Sequence, residues 1–133
     1  MPRRPQAQIV LDASAILAVL FEEPGADLAD EQCPHSVVSV VNAVEVEEKL
    51  LSRSFPVEQL DPLWTSLGVR IVGLDASTGR RAAALLSRHR RAGLSLGDAV
   101  CLATAAELSL PVLTADRMWA DLGDVDTEVC LVR

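Results

Sequence analysis

Four carboxylates occupy settings from which chemistry can be done. Asp12 closes the apolar run Ile9-Val10-Leu11, and Asp116 follows Val112-Leu113-Thr114-Ala115. Asp98 lies in Ser95-Leu96-Gly97-Asp98, just inside a helix start, and Glu45 lies mid-helix in Asn42-Ala43-Val44-Glu45-Val46. Each acid also has an ordinary reading. Acids are common in turns and caps, Ser95 and Asp98 have the spacing of a capping box, and a lone helical glutamate is usually solvated. Glu47 and Glu48 are expected to face solvent. If the four converge, these readings fail together, because uncompensated carboxylates share a site only with a cation or with strongly raised pKa values. An all-oxygen set suits Mg2+ or Mn2+, whereas zinc would favour His or Cys. Such an ion would activate water and clamp the oxygens of an in-line phosphoryl displacement. Only His35 and His89 are available to a histidine-based nuclease; metal-dependent hydrolysis of a phosphodiester needs neither.

The elements that must position these acids follow from periodicity and punctuation. Residues 8–12 are short, β-branched and apolar, a buried strand. A helix over 14–21 is stopped by Glu22-Glu23-Pro24-Gly25, and a second short helix covers 26–31. Ser36-Val37-Val38 is a strand, and Ser39 caps a helix over 40–53. Leu60, Leu63, Trp64 and Leu67 share one helical face, started by Pro56 and broken at Gly68. A strand over 69–74, helices over 77–91 and 96–108, a strand over 111–114, a short helix over 117–122 and a strand over 128–132 complete the chain. Strands alternating with one or two helices imply a compact parallel sheet covered on both faces, one α/β domain over residues 1–133. In such sheets ligands bind outside the carboxyl ends of the strands, which is where Asp12 and Asp116 fall.

The ordered segments Asp12-Ala13-Ser14-Ala15, Asn42-Ala43-Val44-Glu45, Leu96-Gly97-Asp98-Ala99-Val100-Cys101-Leu102-Ala103-Thr104-Ala105 and Val112-Leu113-Thr114-Ala115-Asp116-Arg117 resemble the signatures of a PIN domain. More narrowly, nearly the whole chain is similar to the VapC-type toxins of toxin–antitoxin pairs. The resemblance implies a ribonuclease using Mg2+ or Mn2+, with Asp12, Glu45, Asp98 and Asp116 as the acidic site. It implies Ser14 and Thr114 as supporting hydroxyls, and a VapB-type antitoxin as partner. Many relatives carry a further acid two residues after the last motif Asp. Here Met118 stands there, which leaves a second metal unsupported; Met118 and Trp119 are expected to pack the short helix against the sheet. The apolar segments 16–21 and 60–67 offer surfaces for a homodimer and for the antitoxin, and equally serve as core. Two rivals remain: a non-catalytic module that binds metal or RNA, and a DNA-directed nuclease.

Other signals carry less. Gly93-Leu94-Ser95-Leu96-Gly97 has the form of a nucleophile elbow, yet it follows a helix rather than a strand, and both histidines precede Ser95. A phospho-receiver domain needs a late lysine, and the only one is Lys49. No Gly-rich phosphate loop is present. Arg80, Arg81, Arg88, Arg90 and Arg91 place five of the 12 Lys+Arg residues in one stretch without an acid. That is a solvated helix face or a phosphate track for RNA. Aromatic residues make up only 3%, so a base-stacking platform is not expected.

The chain has 133 residues, half of them hydrophobic, enough for one real core. A net charge of −7 argues against indiscriminate coating of nucleic acid. Cys33, Cys101 and Cys130 form no Cys-x-x-Cys pair, and their odd number argues for reduced, buried thiols in a cytoplasmic protein. No apolar run approaches a membrane span, and the polar stretch 1–8 lacks the core of a signal peptide.

Overall fold

A computed structural model describes residues 6–133; of the polar N-terminal stretch, residues 1–5 lie outside the described part. Five short strands, β1 (Ile9–Leu11), β2 (Ser36–Ser39), β3 (Arg70–Val72), β4 (Val112–Thr114) and β5 (Val129–Leu131), form one sheet in the order β3-β2-β1-β4-β5. All four pairings are parallel, with Val10 opposite Val37 on one side and Val112 on the other. Six α-helices accompany the strands: α1 (Ala13–Leu20), α2 (Ala26–Gln32), α3 (Val40–Leu51), α4 (Leu60–Leu67), α5 (Ala76–Arg88) and α6 (Leu96–Leu108). The chain is thus the expected α/β domain.

Strand periodicity divides the core into two. Ile9 and Leu11 join Val38 and Leu113 on the face covered by Ile16 of α1, Val46 and Leu50 of α3, and Trp64 of α4. Val10, Val37 and Val112 point to the other face, against Ala82 and Leu85 of α5 and Val100 and Leu102 of α6. Both faces are dry, which is why the central strands read as continuous apolar runs rather than alternations. The segments 16–21 and 60–67 go mostly into this core: Ile16, Leu60 and Trp64 are buried, and Leu17, Leu20, Phe21, Leu63 and Leu67 pack partly buried against them.

Topology fixes where the site lies. From central β1 the chain moves outward to β2 and β3, then returns through α5 and α6 to β4 on the other flank of β1. The crevice of such a sheet opens at the carboxyl ends of the two strands where the direction reverses, here β1 and β4. Asp12 and Asp116 follow those two strands directly.

The sequence expectation is departed from most at 88–92 and at 117–122. The helix expected over 77–91 ends at Arg88, and a separate 3-10 turn spans Arg90–Ala92. Residues 117–122 form a 3-10 turn (Arg117–Asp121) rather than an α-helix. Within it Trp119 packs fully into the core, but Met118 stays 36% exposed, against the expectation that both would pack. Cys33 and Cys101 are buried and Cys130 is half-buried, all as free thiols, and burial raises the pKa of each. Among the described residues no helix is long and apolar enough to cross a membrane.

Candidate functional site

Asp12 caps α1 and ties β1 to β4. Its Oδ1 accepts from the Ala15 N–H (3.0 Å) and the Ser14 hydroxyl (2.6 Å), and its Oδ2 accepts from the Thr114 hydroxyl (2.8 Å). The same two hydroxyls then accept from the next strand end: Ser14 Oγ from the Ala115 N–H and Thr114 Oγ1 from the Asp116 N–H. Ser14 and Thr114 are therefore bonded at once to the Asp12 carboxylate and to the backbone that follows β4. Asp12 is 5% exposed. Burial pushes its carboxyl up to about 6; the bonds from Ser14, Ala15 and Thr114 oppose that rise, and the charge of Asp98 adds to it.

Asp98 keeps both of its readings. It closes a capping box at the start of α6, accepting from the Ser95 N–H at 3.1 Å while Ser95 Oγ accepts from its own N–H. It is also half-buried, with its pKa raised by that burial and further by Asp116, against the bonds from Ser95. Ser95 is spent as a cap, which disposes of the nucleophile elbow. Asp116 begins the 3-10 turn after β4, its Oδ1 accepting from the Met118 N–H at 3.0 Å.

Glu45 reaches the same rim from α3. Its Oε1 accepts from the Asn42 side-chain amide at 2.8 Å, and that amide also donates to the Gly97 carbonyl at 3.1 Å. Asn42 is 2% exposed, and its Oδ1 accepts from Ser39, the cap of α3. One buried side chain thus docks α3 on the first turn of α6 and orients Glu45. Asn42 stands within a signature segment of the sequence, where no role was read for it; the signal for one was the spacing Ser39–Asn42–Glu45, three apart on one helical face. The neighbouring Glu47 corrects another expectation. It is half-buried rather than solvated, because it accepts the Trp64 indole N–H at 2.8 Å.

Gly97 makes room for Glu45. A Cβ there would stand 2.5 Å from Glu45 Oε1 and 2.8 Å from its carboxyl carbon. Gly97→Ala is therefore expected to fold, because a helical alanine is favoured over glycine by about 1 kcal/mol and the obstructed group is the end of a flexible side chain. The displaced Glu45 carboxylate should lower any activity of the site by roughly tenfold, the size of the effect when a ligand's supporting group is removed. Unchanged activity in a variant that melts no lower than wild type would show that Glu45 does not act from this position.

Three of the four acids act on one buried group, and the fourth, Asp116, acts on Asp98. The buried Cys101 thiol, one turn along α6 from Asp98, has its pKa raised well above the usual value by burial first and then by the charges of Asp12, Asp98 and Glu45. Among the described residues no Lys or Arg forms an ion pair with any of the four. Nor, among those residues, do three acids as placed enclose a point that would hold a metal. One oxygen each of Glu45, Asp98 and Asp116 is committed to a local bond. The donor set is all oxygen, negatively charged and without a cation, which is the chemistry that fits a hard divalent ion.

The basic stretch splits. Arg81 pairs with Glu107 and Asp126, and Arg88 pairs with Asp126 at 2.9 Å, so these two belong to the protein's own framework. Arg80, Arg90 and Arg91 are exposed.

Residues 9–125 match the family model of the PIN domain, and the chain belongs to that family. No curated protein sequence matches it. Among solved structures it is similar to a toxin–antitoxin complex from Klebsiella pneumoniae, at 20% identity and a TM-score of 0.75 over 95% of this chain and 98% of that one. It is similar to FitAcB from Neisseria gonorrhoeae, at 24% identity and a TM-score of 0.66, covering 92% of this chain and 96% of that one. It is also similar to VapC20 from Mycobacterium tuberculosis, a sarcin-ricin loop cleaving toxin, at 19% identity and a TM-score of 0.71, covering 91% and 99%.

Proposed function

We propose that the chain is a metal-dependent endoribonuclease and the toxin of a toxin–antitoxin pair. What supports this reading is that Asp12 and Asp116 follow the two strands at the switch point of a parallel sheet, while Glu45 lies against Gly97 at the start of the helix that carries Asp98, none of the four being paired with a cation among the described residues. Asp12, Asp98 and Asp116 would hold Mg2+ or Mn2+ directly, and Glu45 through water. The bound ion would supply an activated water and a clamp on the phosphoryl oxygens. The protein's own residues do the rest. Ser14 and Thr114 fix the Asp12 carboxylate, Asn42 fixes Glu45, and Ser95 fixes Asp98, so the ligands are oriented before substrate arrives.

RNA as substrate is supported by the likeness to the toxin that cleaves the sarcin-ricin loop. A VapB-type antitoxin is supported by the likeness to toxin–antitoxin complexes from Klebsiella pneumoniae and Salmonella typhimurium. An Arg or Lys of such a partner, entering the acidic pocket in place of the cation, would lock it. A homodimer and a cytoplasmic site of action belong to the same proposal.

The test is cleavage of total cellular RNA by folded, partner-free protein in Mg2+, Mn2+ or EDTA. Discrete products in metal and none in EDTA are expected. Absence of product in every condition would overturn the ribonuclease reading and favour a module that binds without cutting. Cleavage confined to DNA substrates would move the reading to a DNA-directed nuclease.

A further inference from the structure

Three arginines and a histidine occupy the four consecutive positions 88–91, and the structure gives them two different tasks. Arg88 is held by Asp126 at 2.9 Å, and His89 Nε2 lies 3.1 Å from the Asp124 carbonyl oxygen. With Arg81 also reaching Asp126, these contacts fasten the end of α5 to the loop at 124–126. The chain then closes as the 3-10 turn Arg90–Ala92, with the Ala92 N–H donating to the His89 carbonyl at 3.0 Å. Arg90 and Arg91 stand on this fastened turn, exposed and, among the described residues, without an acidic partner. Residues 87–92 line an open concavity of about 480 Å³ that contains no acid.

Such a turn suits a phosphate. The backbone is already ordered, so little entropy is lost when an anion seats, and guanidinium matches phosphate bidentately. The position is equally telling. Ser95, the cap that Asp98 closes, is four positions after Arg91, so the turn lies within about 14 Å of the start of α6. A strand whose phosphate rests on the turn therefore reaches the acidic rim within a few nucleotides. A chain of net charge −7 with an acid-lined site repels a polyanion, and a local pair of free guanidiniums offsets that repulsion where the strand must enter.

Resting on the ribonuclease reading above, we propose that the 88–92 turn is a subsite for a backbone phosphate of the RNA strand, flanking the bond that is cut. It orients the strand and reads no sequence, since phosphate contacts carry no base information.

The test measures binding of a fluorescein-labelled single-stranded RNA, about 20 nucleotides long to exceed any one-domain site, by Asp98→Asn protein in Mg2+ across a salt series. Adding Arg90→Ala and Arg91→Ala should weaken binding roughly tenfold at low salt and flatten log K against log salt by about 0.7 for each phosphate that is no longer neutralised. The matched control adds Arg70→Ala and Arg80→Ala, which remove the same charge from exposed positions elsewhere. An equal loss in the control would reduce the effect to net charge and overturn the subsite, as would unchanged binding in the Arg90/Arg91 variant. With the acids intact, the same Arg90/Arg91 pair of substitutions should raise KM for RNA and leave kcat near its wild-type value; a fall in kcat alone would also overturn it. Failure of wild type to cut RNA in any metal would refute the ribonuclease reading, while the binding series still decides the turn.

Discussion

Asp12→Asn is expected to abolish RNA cleavage and, in EDTA at neutral pH, to raise the melting temperature. The carboxyl is buried and titrates at about 6 in the folded chain against 3.8 when free. That difference corresponds to about 3 kcal/mol held against the ionised form. Because the folded value lies above the unfolded one, the associated stability is fully present below pH 3.8 and is lost as pH rises through about 6. Asparagine keeps the cap, since its oxygen can accept from the Ala15 N–H and the Ser14 hydroxyl as Oδ1 does now. It replaces the acceptor for Thr114 by a donor, so that hydroxyl must turn, at a cost of about 1 kcal/mol. The net gain is about 1–2 kcal/mol, a shift of a few degrees for a domain of this size.

Melting both proteins from pH 4 to pH 8 in EDTA checks the argument. The variant should fall slightly below wild type at the acid end, overtake it between pH 3.8 and about 6, and keep its full lead above that. A constant difference at all pH values would refute the buried-charge account. Loss of cleavage should reach ~10³-fold, the few kcal/mol that a directly held ion contributes to a transition state. An active, more stable Asp12→Asn protein would remove Asp12 from the site.

How much of this was legible beforehand depended on whether the cause was local. β1 could be read because Ile9-Val10-Leu11 is an apolar, mostly β-branched run flanked by Gln8 and Asp12, and β4 because Val112-Leu113-Thr114 is a short run opened by Pro111 and followed closely by Asp116. Ser39, Ser95 and Asp12 as caps follow from rules of spacing that act within four residues. The placing of Asp12 and Asp116 at one rim needed only the parallel order of the sheet. What escaped was set across the sequence. Nothing between Arg88 and Ala92 would stop a helix, yet α5 ends at Arg88, where partners some 35 residues further on take hold of Arg88 and His89. Glu47 reads as solvated until Trp64, seventeen positions away, supplies an indole N–H. Asn42 reads as an unremarkable helical residue until the Gly97 carbonyl arrives from the other side of the fold. The acids proposed as ligands, with Ser14, Thr114 and Ser95 beside them, are therefore legible in the sequence, whereas Asn42, which holds Glu45, is not.

The second large effect is expected at Asp98, where two functions share one side chain and can be pulled apart. As the acid of a capping box it needs only an oxygen that accepts from the Ser95 N–H. As part of the acidic site it needs its charge. Asp98→Asn keeps an accepting oxygen of the same reach and removes the charge, so cleavage should fall ~10³-fold or more while folding is retained. Its metal-free stability should gain on wild type as pH rises, because burial and Asp116 already raise the pKa of the acid and so disfavour its ionised form. Asp98→Ala should lose cleavage to the same degree and, in addition, about 1 kcal/mol of stability from the missing cap bond. Comparing the two variants by chemical denaturation and by RNA cleavage separates the tasks. Equal activity losses with unequal stabilities assign catalysis to the charge; an Asp98→Asn enzyme that still cuts would leave Asp98 as a helix cap and nothing more.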